Sequence, residues 1–68
     1  MSETTEPMRA ARLTKGLTQR KLAELCAEQG QAVSHSQLVR IENGESSPRP
    51  ALRAVLAAVL GLNVDQLP

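Results

Sequence analysis

The chain has 68 residues, with 8 Lys and Arg against 7 Asp and Glu, one Cys, one His and no Phe, Tyr or Trp, which leaves room for one small domain. No apolar run approaches the roughly 18 to 20 residues of a membrane span, and the opening MSETTEP lacks the basic-then-apolar order of a secretory signal, so a cytoplasmic protein with no membrane partner is expected. A lone Cys26 excludes an internal disulfide framework, and Cys26 with His35 are too few ligands for a structural zinc site, so Leu, Val, Ile, Met and Ala must build the core without a staple.

Leu and Ala recur at helical spacing throughout, while β-branched residues nowhere alternate with polar ones over a useful stretch, so the chain reads as all-α. Residues 1–6 are polar and read as a flexible tail, with the domain over residues 7–68. Pro7 suits a first helical turn and opens a helix over residues 7–15, with Met8, Ala11 and Arg12 on one stripe and Gly16 as its stop. Thr18 caps a second helix that reaches residue 28 or 29, and its inner face is Leu22, Ala23, Leu25 and Cys26. Gln29, Gly30, Gln31 and Ala32 break the pattern, after which Val33 and Ser34 read as the apolar lead-in and N-cap of a third helix. Leu38 and Ile41 are its core positions, and Asn43 with Gly44 ends it. Residues 45–50 form a turn-rich link. From Pro50 onward, Leu52, Val55, Leu56, Val59 and Leu60 give the i, i+3, i+4, i+7, i+8 pattern of a buried helix, closed by Gly61. Asn63 and Gln66 stand three apart, as in a capping box, and predict a short fifth helix. The expected architecture is a compact five-helix bundle.

Helices two and three surround a single break, where close packing constrains the residue types. At a near-perpendicular crossing, a side chain larger than a methyl group at Ala23 holds the helices apart, while Leu22, Val33, Leu38 and Ile41 supply volume behind it. That is the steric logic of a helix-turn-helix. The runs GLTQRKLAELC, VSHSQLVRIENG, SPRPAL and LGLNVDQL together resemble the phage-repressor/Cro-like (XRE-type) family of helix-turn-helix DNA-binding domains, over residues 8–67. Its most specific pieces are Gly16, Leu17, Thr18 and Gln19 ahead of Leu22 and Ala23, and the run Ile41, Glu42, Asn43, Gly44. The resemblance implies a lambda-repressor-like bundle with a central helix-turn-helix. Between Ala23 and Val33 the chain is about five residues longer than the family pattern, so the second helix and the turn after it are both expected to be lengthened.

The resemblance also implies roles for particular residues. The third helix enters the major groove of double-stranded DNA, which places His35, Ser36, Gln37, Val39 and Arg40 at base edges. Arg40 suits the paired acceptors O6 and N7 of guanine, Val39 suits a thymine methyl, and Ser36 and Gln37 are more permissive. Thr18, Gln19 and Arg20 at the start of helix two, with Lys15, Asn43 and Arg49, fall at the DNA backbone, where they position the domain without reading sequence. Arg12 and Glu42 match family positions that pair between helices one and three, and a structural ion pair is expected there. One such module touches too few base pairs for specific affinity, so a homodimer on a pseudo-palindromic operator is expected, acting as a repressor, with Leu62, Val64 and Leu67 at its interface.

Taken without the resemblance, Arg40 reads as a solvated helix charge, His35 as a surface residue near a helix start, and Cys26 as a small hydrophobe. There is no glycine-rich phosphate cradle, no Ser, His and acid grouping and no paired carboxylates, so a non-enzyme without metal or small-molecule cofactor is expected. The alternative is a protein-interaction module of the same fold, antitoxin-like or a phage-encoded adaptor, that does not depend on DNA. The net charge of +1 conceals an uneven distribution. Glu3 and Glu6 fall in the tail and Arg12 cancels Glu42, which leaves Lys15, Arg20, Lys21, Arg40 and Arg49 for one basic face. Without aromatic stacking platforms, duplex rather than single-stranded nucleic acid is the expected ligand.

Overall fold

In the computed structural model, which describes residues 6–67, helices start and stop where local hydrogen bonding dictates. They are α1 (Glu6–Thr14), α2 (Gln19–Glu28), α3 (His35–Glu42) and α4 (Pro50–Leu60), followed by one 3-10 turn, Val64–Gln66. Thr18 Oγ1 accepts from the Lys21 N–H at 3.0 Å, and Ser34 Oγ accepts from the Gln37 N–H at 3.1 Å. Each bond satisfies an amide that a first helical turn leaves without a partner. α4 starts on Pro50 itself, whose missing N–H costs nothing at that position.

The carboxyl ends are equally local, and each of the four helices runs out into a glycine with left-handed φ: Gly16, Gly30, Gly44 and Gly61. The one at Gly30 sets up the turn between α2 and α3. With φ at +88°, the Gly30 N–H bonds the Ala27 carbonyl at 2.9 Å and the Gln31 N–H reaches back to the Cys26 carbonyl at 2.9 Å. This double closure turns the chain out of the helix and satisfies carbonyls that have no intrahelical partner.

α2 packs against α3 and α4, α1 also rests on α3 and α4, and the 3-10 turn sits on α4. Between them lie Met8, Leu22, Cys26, Leu38, Ile41, Leu52, Leu56, Ala57, Leu60 and Leu67, all buried. Ala11, Leu17, Ala23, Val33, Val55, Val59 and Leu62 pack around this cluster. The small Ala23 is half-buried and packs against the core beside Leu22. No helix among the described residues is long and apolar enough to cross a membrane.

Three expectations need correction. Among the described residues there are four α-helices rather than five, because the last element closes as a single 3-10 turn. The Gln66 side chain does accept from the Asn63 N–H at 2.9 Å, but the turn ends at once so that Leu67 can fold back into the core at 5% exposure. Arg53 Nη1, 3.4 Å from the Leu67 carbonyl, holds it there. Leu67 is therefore a core residue and not a surface for a partner, whereas Val64 remains exposed and Leu62 half-buried. Lastly, α1 begins at Glu6, one residue before the predicted start; the remainder of the expected tail lies outside the described residues.

Candidate nucleic-acid interface

The turn at Gly30 brings the amino end of α3 beside the amino end of α2. Gln19, the first residue of α2, and His35, the first of α3, meet there: Gln19 Oε1 lies 3.2 Å from His35 Nε2. Around them a shallow open groove is lined by Arg12, Gly16, Thr18, Gln19, Arg20 and His35. The unpaired amides and positive dipole end of α2 favour an anion at such a place, and Arg20 adds a full charge.

Behind the groove lies the one buried charged side chain among the described residues, Glu42, at 1% exposure. Arg12 grips it with two bonds, Nε to Oε2 at 2.6 Å and Nη2 to Oε1 at 3.3 Å. The third arm of the same guanidinium, Nη1, donates to the Leu17 carbonyl at 2.8 Å, so Arg12 also fixes the link between α1 and α2. Gln19 Nε2 donates to Glu42 Oε1 at 3.3 Å. A carboxylate buried this deeply persists only when paired and hydrogen-bonded, and here both conditions are met. The implied ion pair of Arg12 and Glu42 is thus present in the structure, and it is coupled through Gln19 to His35.

On the outward side of α3, Ser36, Gln37 and Arg40 are exposed, Val39 is half-buried, and Leu38, Ile41 and Glu42 face inward. Ser34, Ser36, Gln37 and Arg40 line a second, polar cleft together with Ser46 from the link to α4. The other expected backbone contacts scatter. Asn43 Oδ1 accepts from Arg9 Nη2 at 3.5 Å, and Arg49 Nη2 donates to Gln31 Oε1 at 3.5 Å, tying the α2–α3 connection to the segment before α4. Lys15 passes beside Gly61, its ammonium 4.0 Å from where a side chain there would begin, at the carboxyl end of α4. Lys21 pairs with Glu24 at 3.7 Å on the exposed face of α2.

Two residues with a place in this site were not singled out from sequence. Arg9 lies 3.8 Å from Glu42 Oε1 and touches Asn43, which adds a second guanidinium beside the carboxylate. Its signal was the three-residue spacing to Arg12, which puts both on one helix face. Ser46 had no local signal, since only the course of the link brings it to Arg40.

Two packed helices with adjacent amino ends, a buried ion pair behind them and an open polar face on the second define a helix-turn-helix DNA-binding domain. The chain belongs to the helix-turn-helix domain family, whose family model, described as "Helix-turn-helix domain", matches residues 6–68. No curated protein and no solved structure matches the chain in the corresponding comparisons.

Proposed function

We propose that this domain is a sequence-specific regulator of transcription that reads double-stranded DNA as a homodimer and represses by occupying a pseudo-palindromic operator. The observation that carries this reading is the outward face of α3, where Ser36, Gln37 and Arg40 are exposed while the opposite face is locked into the core by Leu38, Ile41 and Glu42. A helix held so firmly from behind presents rigid donors to a major groove, which is what direct readout requires. The groove at Thr18, Gln19 and Arg20 then meets a phosphate, and Arg9, Asn43 and Arg49 offer further backbone contacts. Two copies supply two such faces, and the exposed Val64 with the half-buried Leu62 is the apolar surface we assign to their contact. This reading has the cytoplasm as its compartment and involves neither catalysis nor a cofactor.

The test is selection of bound duplexes from a random pool, followed by titration of the selected site at several salt concentrations. A two-fold site is expected, with affinity falling as salt rises through release of counterions. In Arg40→Ala, loss of a guanidinium contact to a base is expected to cost about 1 to 3 kcal/mol of binding. Absence of any duplex binding at low salt refutes the reading and favours a protein partner for the same face.

A further inference from the structure

Leu13 is one of two large apolar side chains standing open among the described residues, at 59% exposure in the last turn of α1. The core does not use it, since Met8 and Ala11 serve the core from the same helix. Leu13 and the half-buried Leu17 line the same open groove as Thr18 and Arg20, and Gly16 between them has nothing within 4 Å of where a Cβ would stand. The groove has a volume of about 580 Å³, within the roughly 300 to 1,000 Å³ of ligand-binding clefts. Part of its lining is thus apolar, and that part is of little use to a phosphodiester, which brings charge rather than a surface that shields leucine. No carboxylate lines the groove. Arg12 is bound to Glu42 behind it, but Arg20 has no ion-pair partner among the described residues, because Glu24, one turn further along α2, pairs with Lys21 instead. A cation beside two leucines suits an anion carried on an apolar body.

We infer that this groove docks a short acidic and apolar segment of a second polypeptide, whose apolar side chain covers Leu13 and Leu17 and whose carboxylate pairs with Arg20. An open groove buries little of a small solute, whereas a peptide segment adds contacts on either side of its anchor. Charge argues against a second copy of this chain in the same place. Across a two-fold contact centred on the groove, the Arg20 of each copy would meet its own like charge, whereas a carboxylate is complementary to it. Thr18, Gln19 and Arg20 are also the residues assigned above to a DNA phosphate, so the partner and the duplex exclude each other. That exclusion rests on the DNA-reading function proposed above; the docking itself does not. The partner's carboxylate takes the place of a phosphate, and Leu13 adds an apolar contact that the duplex does not make, so one surface distinguishes a releasing protein from the operator.

The probe is a library of random heptapeptides selected on the full chain with no DNA present, from which enriched peptides are synthesised and titrated by fluorescence anisotropy. They are expected to carry Asp or Glu within a few residues of Leu, Ile, Met or Phe. Their affinity is expected to fall about 10-fold in Leu13→Ser, through lost apolar burial. In Arg20→Ala it is expected to fall about 2- to 5-fold, with a weaker dependence on salt. Leu13 is exposed, so its replacement leaves the core intact, and duplex binding by Leu13→Ser is expected to match the wild type. Saturating peptide is expected to release the selected duplex. Enrichment of no peptide, of peptides without an acid, or of peptides that bind Leu13→Ser as tightly as the wild type overturns the inference. A shift of Leu13→Ser toward the monomer in sedimentation does the same, since it gives this face to a second copy. A peptide that binds without releasing the duplex overturns their mutual exclusion. If no duplex binds at all, the functional reading fails and the exclusion falls with it, while the peptide titrations still decide the docking.

Discussion

Glu42 sits where an acidic side chain is hardest to keep, and Arg12, Gln19 and Arg9 all converge on it. Replacing a buried ion pair by apolar residues is often tolerated, but removing one partner strands the other in the interior. Glu42→Ala is therefore expected to lower unfolding free energy by about 3 kcal/mol in urea titrations, with the double variant Arg12→Met, Glu42→Leu recovering much of it. A loss below about 1 kcal/mol would show the pair behaving as a surface contact. Cys26 is the other informative single residue. It is fully buried, and desolvation pushes its thiol above the ordinary value of 9.0. The unfolded chain then ionises this thiol first as pH rises, so its contribution to stability is whole below pH 9.0 and declines above it. Unfolding titrations between pH 8 and pH 10 are expected to slope downward, and less steeply in Cys26→Ala. A thiol reagent at neutral pH is expected to react only as fast as the domain opens.

The helices and their ends are set by contacts a few residues long, and for that reason most of them are legible in the sequence. Thr18, Ser34 and Gly16 do what their side chains, or the lack of one, prescribe within a single turn. Ser34 is the cap with most consequence, because it starts the helix that carries the proposed reading face. Ser34→Ala is expected to cost about 1 kcal/mol of stability, read as a lowered melting temperature, and an unchanged melting temperature would contradict the cap. The expected fifth helix is a 3-10 turn for a physical reason. A capping pair at Asn63 and Gln66 guarantees a turn but not its continuation, and the burial of Leu67 outweighed the local signal by bending the chain back after three residues. The same holds for the link before α4, where Ser46 reaches the cleft beside Arg40 only through the path of the chain in space.

At the scale of the whole molecule, ten buried apolar side chains among the described residues, without one aromatic ring, close a body of 31 × 24 × 22 Å. So small a core leaves limited stability, and a second copy would both add buried surface and supply the second half-site. With Leu67 withdrawn into the core, the weight of the proposed interface falls on Val64, at 45% exposure. Val64→Asp is expected to shift sedimentation toward the monomer and weaken binding to a two-fold duplex more than to a half-site. A variant that stays dimeric would send the search to Leu13, the other large apolar side chain standing open among the described residues, at 59% exposure. The +1 net charge is likewise resolved only in space: Arg12 is consumed by Glu42, Lys21 pairs with Glu24, and Lys15 lies at α4, so Arg20 and Arg40 are the cations left on the two clefts of the α3 side.

The sequence by itself determined the all-helical class, the caps, the glycine stops and the inward stripes, because hydrogen bonding within a turn and a 3.6-residue period depend on neighbours alone. Tertiary structure alone decided which polar side chains act together. The contacts Arg12 to Glu42, Glu42 to Gln19, Gln19 to His35 and Arg49 to Gln31 each span elements far apart in the chain, and packing of the apolar stripes had to bring those elements together before any of these bonds had a direction or a length.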